Sequence, residues 1–225
     1  MPRLLDLFCG AGGAATGYYR AGFDEIVGVD NRPQPRYPFE FVHTDALEYV
    51  AEHGHEFDAI HASPPCQAFS QAVKISNRKG RPNLIPATRE SLVGLGLPYV
   101  IENVPTAIDH LREPVMLCGS SFGLPVRRHR LFESNFWIWG IQCSHKEYPR
   151  RYPPAWNRTN QLRVLSLSGG YQQGQAGIEE HRAAMGIGWD MDIKELSQSI
   201  PPAYTEYIGQ ELIKALRGRR DGSHR

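Results

Sequence analysis

Short runs of apolar residues alternate along the chain with longer stretches whose apolar positions recur at helical spacing. Leu4–Phe8 reads as a strand, a glycine-rich turn follows, and a helix runs from about Ala14 to Ala21. Glu25–Asp30 predicts a second strand, Phe39–His43 a third, and Ala46–His53 a short helix. Phe57–Ala62 is a buried strand, Tyr99–Glu102 is strand-like, and Arg130–Trp139 alternates apolar with polar residues. Strands and helices joined by short connections predict an α/β fold with a doubly wound, mostly parallel sheet.

Two regions break this rhythm. Residues 68–90 are polar, basic and rich in helix breakers, the pattern of a long mobile loop, and residues 140–177 hold Gly, Pro, Arg and aromatic residues with little periodicity. Loops of that length in a compact domain are usually functional or disordered. The chain turns helical again from about Glu179, and Glu206–Leu216 predicts a closing helix.

With 225 residues, 41% of them hydrophobic and 22% charged, the chain suffices for one sizeable α/β domain. No stretch approaches the roughly 18 apolar residues of a membrane span, and Met1–Gly13 lacks a signal-peptide layout, so cytoplasmic residence is expected. The net charge of +1 excludes a polycation; attraction to nucleic acid has to come from local patches. Lys74, Arg78, Lys79, Arg81 and Arg89 form one, with no acid among residues 74–89. Lys146, Arg150, Arg151, Arg158 and Arg163 form a second, and Lys214, Arg217, Arg219, Arg220 and Arg225 a third, expected to be a solvated, frayed end.

Candidate chemistry begins at the turn after the first strand. A strand, then Gly10, Gly12 and Gly13, then a helix, brings bare backbone up to a nucleotide-type ligand. The second strand ends in Asp30, whose carboxylate can accept hydrogen bonds from ribose hydroxyls. The spacing is GxGG, not GxGxxG, and no Lys-Ser/Thr follows, so S-adenosylmethionine fits better than a dinucleotide. Asp45 opens the next helix as either a cofactor contact or an N-cap. Pro64 and Pro65 hold the chain extended just beyond a strand and deliver Cys66 where open α/β sheets bind ligands. Taken alone, Cys66 could equally be an inert buried thiol.

The segments DLFCGAGG, SPPCQ, ENV (Glu102–Val104) and RRHRLF (Arg127–Phe132), in that order, resemble the successive motifs of the DNA cytosine-5 methyltransferases. Ile178–Ile187 and the ending LSQSIPPAYTEYIGQEL resemble that family's last two motifs. The resemblance covers most of residues 3–216, apart from the middle of 133–177, and implies a Rossmann-like methyltransferase fold. It divides the chain into a catalytic and cofactor-binding core (1–132), a reduced target-recognition region (133–177), a returning segment (178–216) and a disordered basic tail (217–225).

The resemblance also implies roles. Cys66 would be the nucleophile toward cytosine C6, Glu102 the acid sharing a proton with N3, and Arg128 and Arg130 the cations orienting the acid and the base. Phe8, Gly10, Gly12, Gly13, Asp30, Asp45 and Pro64 would hold S-adenosylmethionine, released as S-adenosylhomocysteine, with no metal required. Asn103 fits a structural hydrogen bond to the loop holding Cys66 as well as catalysis. The expected partner is DNA, a duplex with the target cytosine flipped out, and the chain is expected to be a monomer, with a separate specificity partner as a further option. RNA, single strands or a free cytosine nucleotide are alternative substrates, and a non-catalytic cofactor-binding subunit is a third reading.

Three departures from the family pattern stand out. Val126 occupies the place of a Gln, Ser197-Gln198 the place of a Gly-Asn, and residues 133–177 are few for a recognition domain. Trp137, Trp139, Tyr148, Tyr152, Trp156 and Tyr171 lie there among arginines, an interleaving suited to phosphate contact with base stacking, or else to a small apolar cluster. Cys143 and His145 are two metal-type ligands without a visible second pair, so no metal is expected.

Overall fold

The computed structural model describes residues 2–69, 82–145 and 177–222. Seven strands among these form one sheet: β1 (Arg3–Leu7), β2 (Glu25–Asp30), β3 (Glu40–His43), β4 (Ala59–Ala62), β5 (Tyr99–Asn103), β6 (Val115–Leu117) and β7 (Arg130–Ser134). Their order is β3-β2-β1-β4-β5-β7-β6, and β7 alone runs against its neighbours. This is the mostly parallel α/β sheet expected from the sequence. The winding reverses between β1 and β4, so a crevice opens beyond their carboxyl ends, where such folds bind ligands.

Burial on both faces explains why the strands read as continuous apolar runs. Leu4, Ile26, Val100 and Phe132 point to one face, where α1 (Gly13–Ala21) and the last helix pack through Tyr18, Tyr204, Ile208 and Leu212. Leu5, Val27, Ile60, Ile101 and Leu131 point to the other, under α2 (Ala46–His53) and α3 (Ile85–Leu95), which contribute Val50, Ile85 and Leu92. Two short helices, α4 (Ile178–Met185) and α5 (Ile193–Gln198), lead into α6 (Pro202–Gly222).

Close approach of α1 to α6 depends on missing side chains. A Cβ on Gly13 would lie 2.5 Å from the Ile200 carbonyl oxygen, and one on Gly17 would run into Thr205 Oγ1 and the Pro202 carbonyl. Thr205 Oγ1 donates to the Ala14 carbonyl at 2.8 Å, closing the contact with a buried hydrogen bond.

Several expectations are corrected. Residues 85–90 belong to α3 rather than to a mobile loop; Pro86 is tolerated because it falls in the helix's first turn. Arg89 is a buried ion-pair partner, not a loop cation: its Nε and Nη2 donate to the two Glu133 carboxylate oxygens at 2.6 Å each. Nη2 also donates to the His110 carbonyl, and the Arg112 N–H adds a third donor to Glu133. Helix α6 continues to Gly222, so residues 217–222 are helical rather than a disordered tail, with Arg219 donating to the Gly96 carbonyl at 2.8 Å. The basic residues Lys74, Arg78, Lys79 and Arg81, those from Lys146 to Arg163, and Arg225 lie outside the described residues, as do Tyr148, Tyr152, Trp156 and Tyr171.

Candidate functional site

The two segments flanking the crevice carry the candidate residues. After β1, Phe8 adopts a left-handed φ of 56°, uncommon for a side chain without a hydrogen-bonding group, and Gly10 follows at φ 50°. The turn is held from below by Asp30: its Oδ2 accepts the Gly10 N–H at 3.2 Å and its Oδ1 the Arg32 N–H at 3.0 Å. Space over Gly10 is open, since a Cβ there would meet nothing within 4 Å. Gly12 and Gly13 are used differently. A Cβ on Gly12 would run into Pro38, and Gly13 faces Ile200, so their bareness serves packing. Asp45 is an N-cap, its Oδ1 accepting the Leu47 and Glu48 N–H groups at 2.8 and 3.2 Å. An open backbone turn beside a carboxylate, at the switch point of the sheet, fits an adenosine-type cofactor such as S-adenosylmethionine.

On the other wall, β4 ends at Ala62 and the chain runs extended through Pro64 and Pro65 into a single 3₁₀ turn at Cys66–Ala68. Asn103, buried at the end of β5, donates from Nδ2 to the Pro64 carbonyl at 2.9 Å, and its Oδ1 accepts the Val104 N–H. It thereby ties the cysteine loop to the strand bearing Glu102. Cys66 is half-buried, and burial followed by the nearby Glu102 charge pushes its thiol above the usual range, opposed by Arg130 and Arg128. Glu102 is buried and paired with Arg130, whose Nε lies 2.9 Å from its Oε1. Burial raises the Glu102 carboxyl above its ordinary value, and the two arginines and a hydrogen bond from Ser63 offset part of that.

Arg128 points the other way. It is buried, its Nη2 donates to the Ser197 carbonyl at 2.6 Å, and burial pushes its guanidinium down to about 9. The backbone at Ser197 thus meets Arg128 in the place where the chain departs from the family pattern. Val126 is explained by its surroundings: it is buried in an apolar cluster with Ala11, Met185, Ile187, Met191 and Leu196, where a Gln amide would be hard to satisfy.

A second layer of the site was not visible in the sequence. His61, on β4 and fully buried, lies 3.0 Å by Nδ1 from the Tyr18 hydroxyl and 3.0 Å by Nε2 from Ser63 Oγ. Burial pushes its imidazole down to about 3, so it is neutral. Because Ser63 donates to Glu102, its oxygen must accept from His61 Nε2–H, which leaves Nδ1 to accept from Tyr18. One directed chain of hydrogen bonds, Tyr18 to His61 to Ser63 to Glu102, therefore ends on the candidate acid. Alternation along β4 could have flagged a buried His61, but nothing in the sequence ties it to Tyr18 or Glu102.

Trp137 and Trp139, expected among possible base-stacking residues, lie elsewhere. Strand β7 starts at Arg130 beside the site and ends where Ser134 pairs with Val100, at the opposite edge of the sheet. The two indoles follow there, 70% and 63% exposed, in a T-shaped pair 5.4 Å apart. Cys143 and His145, expected to stand without a second ligand pair, are joined by Cys118 and His129. Among the described residues, no helix is long and apolar enough to cross a membrane.

Residues 2–117 match the family model of the C-5 cytosine-specific DNA methylases. The type II methylase M.HgiDII of Herpetosiphon aurantiacus is 25% identical over an alignment of 256 positions, spanning 97% of this chain and 69% of that protein. The type II methyltransferase M.HgiGI of the same organism is 33% identical over 118 positions, spanning 47% of this chain and 92% of its relative. The Schizosaccharomyces pombe Dnmt2 methyltransferase superposes with a TM-score of 0.61 at 15% identity, covering 96% of this chain and 99% of that one, a likeness of fold alone. With its motifs set around the switch point of a methyltransferase sheet, the chain belongs to the C-5 cytosine-specific DNA methylases, which are S-adenosylmethionine-dependent enzymes.

Proposed function

We propose that the chain methylates C5 of a cytosine flipped out of duplex DNA, through a covalent bond from Cys66 to C6. The observation that carries this reading is the pairing of a half-buried thiol with a buried, arginine-paired carboxyl on the next strand of the sheet. A silent core cysteine needs neither neighbour.

S-adenosylmethionine, when bound, supplies an electrophilic methyl group to C5. Phe8, Gly10, Asp30 and Pro64 would hold it in the crevice, with Asp45, Gly12 and Gly13 shaping its walls. The chain's own residues make C5 reactive. The Cys66 thiolate adds to C6, forming an S–C6 bond, and the displaced electron pair reaches N3, where the Glu102 carboxyl supplies a proton. Arg130 holds that carboxyl, and Arg128 fixes the loop between them by its bond to Ser197. Once C5 carries the methyl group, loss of the C5 proton to water expels the Cys66 thiolate, and the N3 proton returns to Glu102. A paired base presents C6 within the stack, beyond reach of a thiol on the loop after a strand, so the nucleotide has to leave the helix. The short span of residues 133–177 supports a short or relaxed target sequence; the enzyme is proposed to act as a monomer.

A duplex containing 5-fluorocytosine tests the reading. With cofactor present, it traps the wild-type chain as a covalent adduct, because fluorine cannot leave C5 as a proton does. Cys66→Ala gives no adduct and no turnover but binds cofactor nearly as well in calorimetry. Trapping by RNA or a free nucleotide and by no duplex would transfer the chemistry to that substrate; turnover by Cys66→Ala would sink the mechanism.

A further inference from the structure

The cluster formed by Cys118, His129, Cys143 and His145 lies outside the catalytic chemistry described above, and we infer that it binds a structural zinc ion. Four ligand atoms, two thiol sulfurs and two imidazole nitrogens, all lie within 4.8 Å of one another. Cys118 Sγ is 3.4 Å from His145 Nε2, and Cys143 Sγ is 3.4 Å from His129 Nε2. A tetrahedral zinc with bonds of about 2.3 Å to sulfur and about 2.0–2.1 Å to nitrogen sets its ligands roughly 3.3–3.8 Å apart. The two measured edges fall in that range, and the donor set is of the closed structural kind, with no position left for a substrate.

The four residues come from three separate places. Cys118 follows the edge strand β6, His129 sits between Arg128 and Arg130 ahead of β7, and Cys143 and His145 lie on the chain that returns from the far edge of the sheet. Their surroundings are built in the way second shells of metal sites are. Ser120 Oγ donates to Cys118 Sγ at 3.3 Å and accepts the Ser144 N–H at 3.2 Å. Arg127 Nη2 donates to the His145 carbonyl at 2.9 Å, and Ser121 Oγ donates to the Gln142 carbonyl at 3.1 Å. The backbone on either side of the ligands is therefore held in place by side chains that bind no metal.

Binding is a simple exchange. Two thiols lose their protons to solvent as two S–Zn bonds form, the imidazoles bind through neutral Nε2, and the two thiolate charges cancel that of the ion. The ion would fasten the loop of Arg128 and Arg130 to the sheet edge and to the start of the recognition region. The consequence is positional: zinc holds the arginine loop without touching the reacting atoms.

Plasma mass spectrometry of protein expressed in zinc-supplemented medium and purified without chelator tests this. The expected result is one zinc per chain for the wild type and for Cys66→Ser, and loss of zinc in the Cys118→Ala/Cys143→Ala double variant. Wild-type apoprotein loaded with cobalt(II) alone should show thiolate-to-metal charge transfer and the intense d–d bands of a tetrahedral site, whether or not the variant folds. Substoichiometric zinc with no such cobalt spectrum, or a Cys118–Cys143 disulfide in zinc-supplemented protein kept under reducing conditions, would overturn the proposal.

Discussion

Glu102 and Cys66 are each pushed by burial toward their neutral forms, and the proposed reaction wants one of them neutral and the other ionised. The competent state, thiolate with protonated carboxyl, is thus a minor species at every pH. Below the Glu102 pKa the rate rises with pH as thiolate forms. Between the two pKa values the gain in thiolate and the loss of carboxyl proton cancel, and above the Cys66 pKa the rate falls. Glu102→Gln should lower the single-turnover rate about 10²–10⁴-fold and remove the plateau, so that the residual rate climbs up to the Cys66 pKa. Ser63→Ala deletes the hydrogen bond that favours the ionised carboxylate, a contribution of about 1.5–3 kcal/mol, and should move the start of the plateau up by roughly 1–2 pH units. An unshifted plateau would remove Ser63 from the chain ending on Glu102. Of these residues, Cys66 and Glu102 were legible because each stands in a short local motif. His61 and Ser63 act through side chains brought together over 43 and 39 positions of sequence, and no local pattern encodes that.

Among elements, the central strands declared themselves: three apolar side chains in each strand of four to six residues, buried on both faces, leave little else for the chain to do. Helix α3 was hidden because its sequence opens with Leu84-Ile85-Pro86 after a basic stretch, and only tertiary burial of Ile85 and Leu92 decides for a helix. Strand β6 has three residues at the sheet edge, too few for a period. The reversal of β7 follows from pairing partners far along the chain. The Arg89–Glu133 pair joins α3 to β7. Removing the cation would leave Glu133, 1% exposed, without a countercharge. Arg89→Ala is expected to lower the unfolding free energy by about 3–5 kcal/mol in urea titration. A double replacement of Arg89 and Glu133 by apolar residues of similar volume should recover much of that loss, because no buried charge remains.

At the scale of the whole molecule, the last described segment, residues 177–222, returns to the first. Ile200 and Thr205 sit against the α1 glycines, Trp189 Nε1 donates to the Ala11 carbonyl at 3.1 Å, and Arg128 reaches Ser197. The glycine turn is thus clamped between Asp30 below and the returning segment above. Gly17→Ala would wedge the two helices apart; it should cost about 1–3 kcal/mol in thermal or urea unfolding and weaken cofactor binding in parallel. Full stability with weakened binding would show that Gly17 acts on the crevice by another route. This return was legible only as a resemblance of the ending to a family motif. The contact that makes it necessary, bare α1 backbone against Ile200 and Pro202, is a property of three dimensions.

The anchored flanks of the proposed recognition region have a consequence of another kind. His145 is held by its carbonyl to Arg127, and the Gly177 N–H donates to Glu180 Oε2 at the start of α4. His145 and Gly177 are thus two fixed points, and the entropy cost of closing a flexible insert between fixed points grows only with the logarithm of its length: each doubling costs about 0.6 kcal/mol. A graft of twice as many residues between the same anchors would leave Glu102, Cys66, Arg128 and Arg130 where they are. On the proposed division of labour, the chemistry and the reading of sequence can evolve separately, and new targets can be tried with little loss of stability.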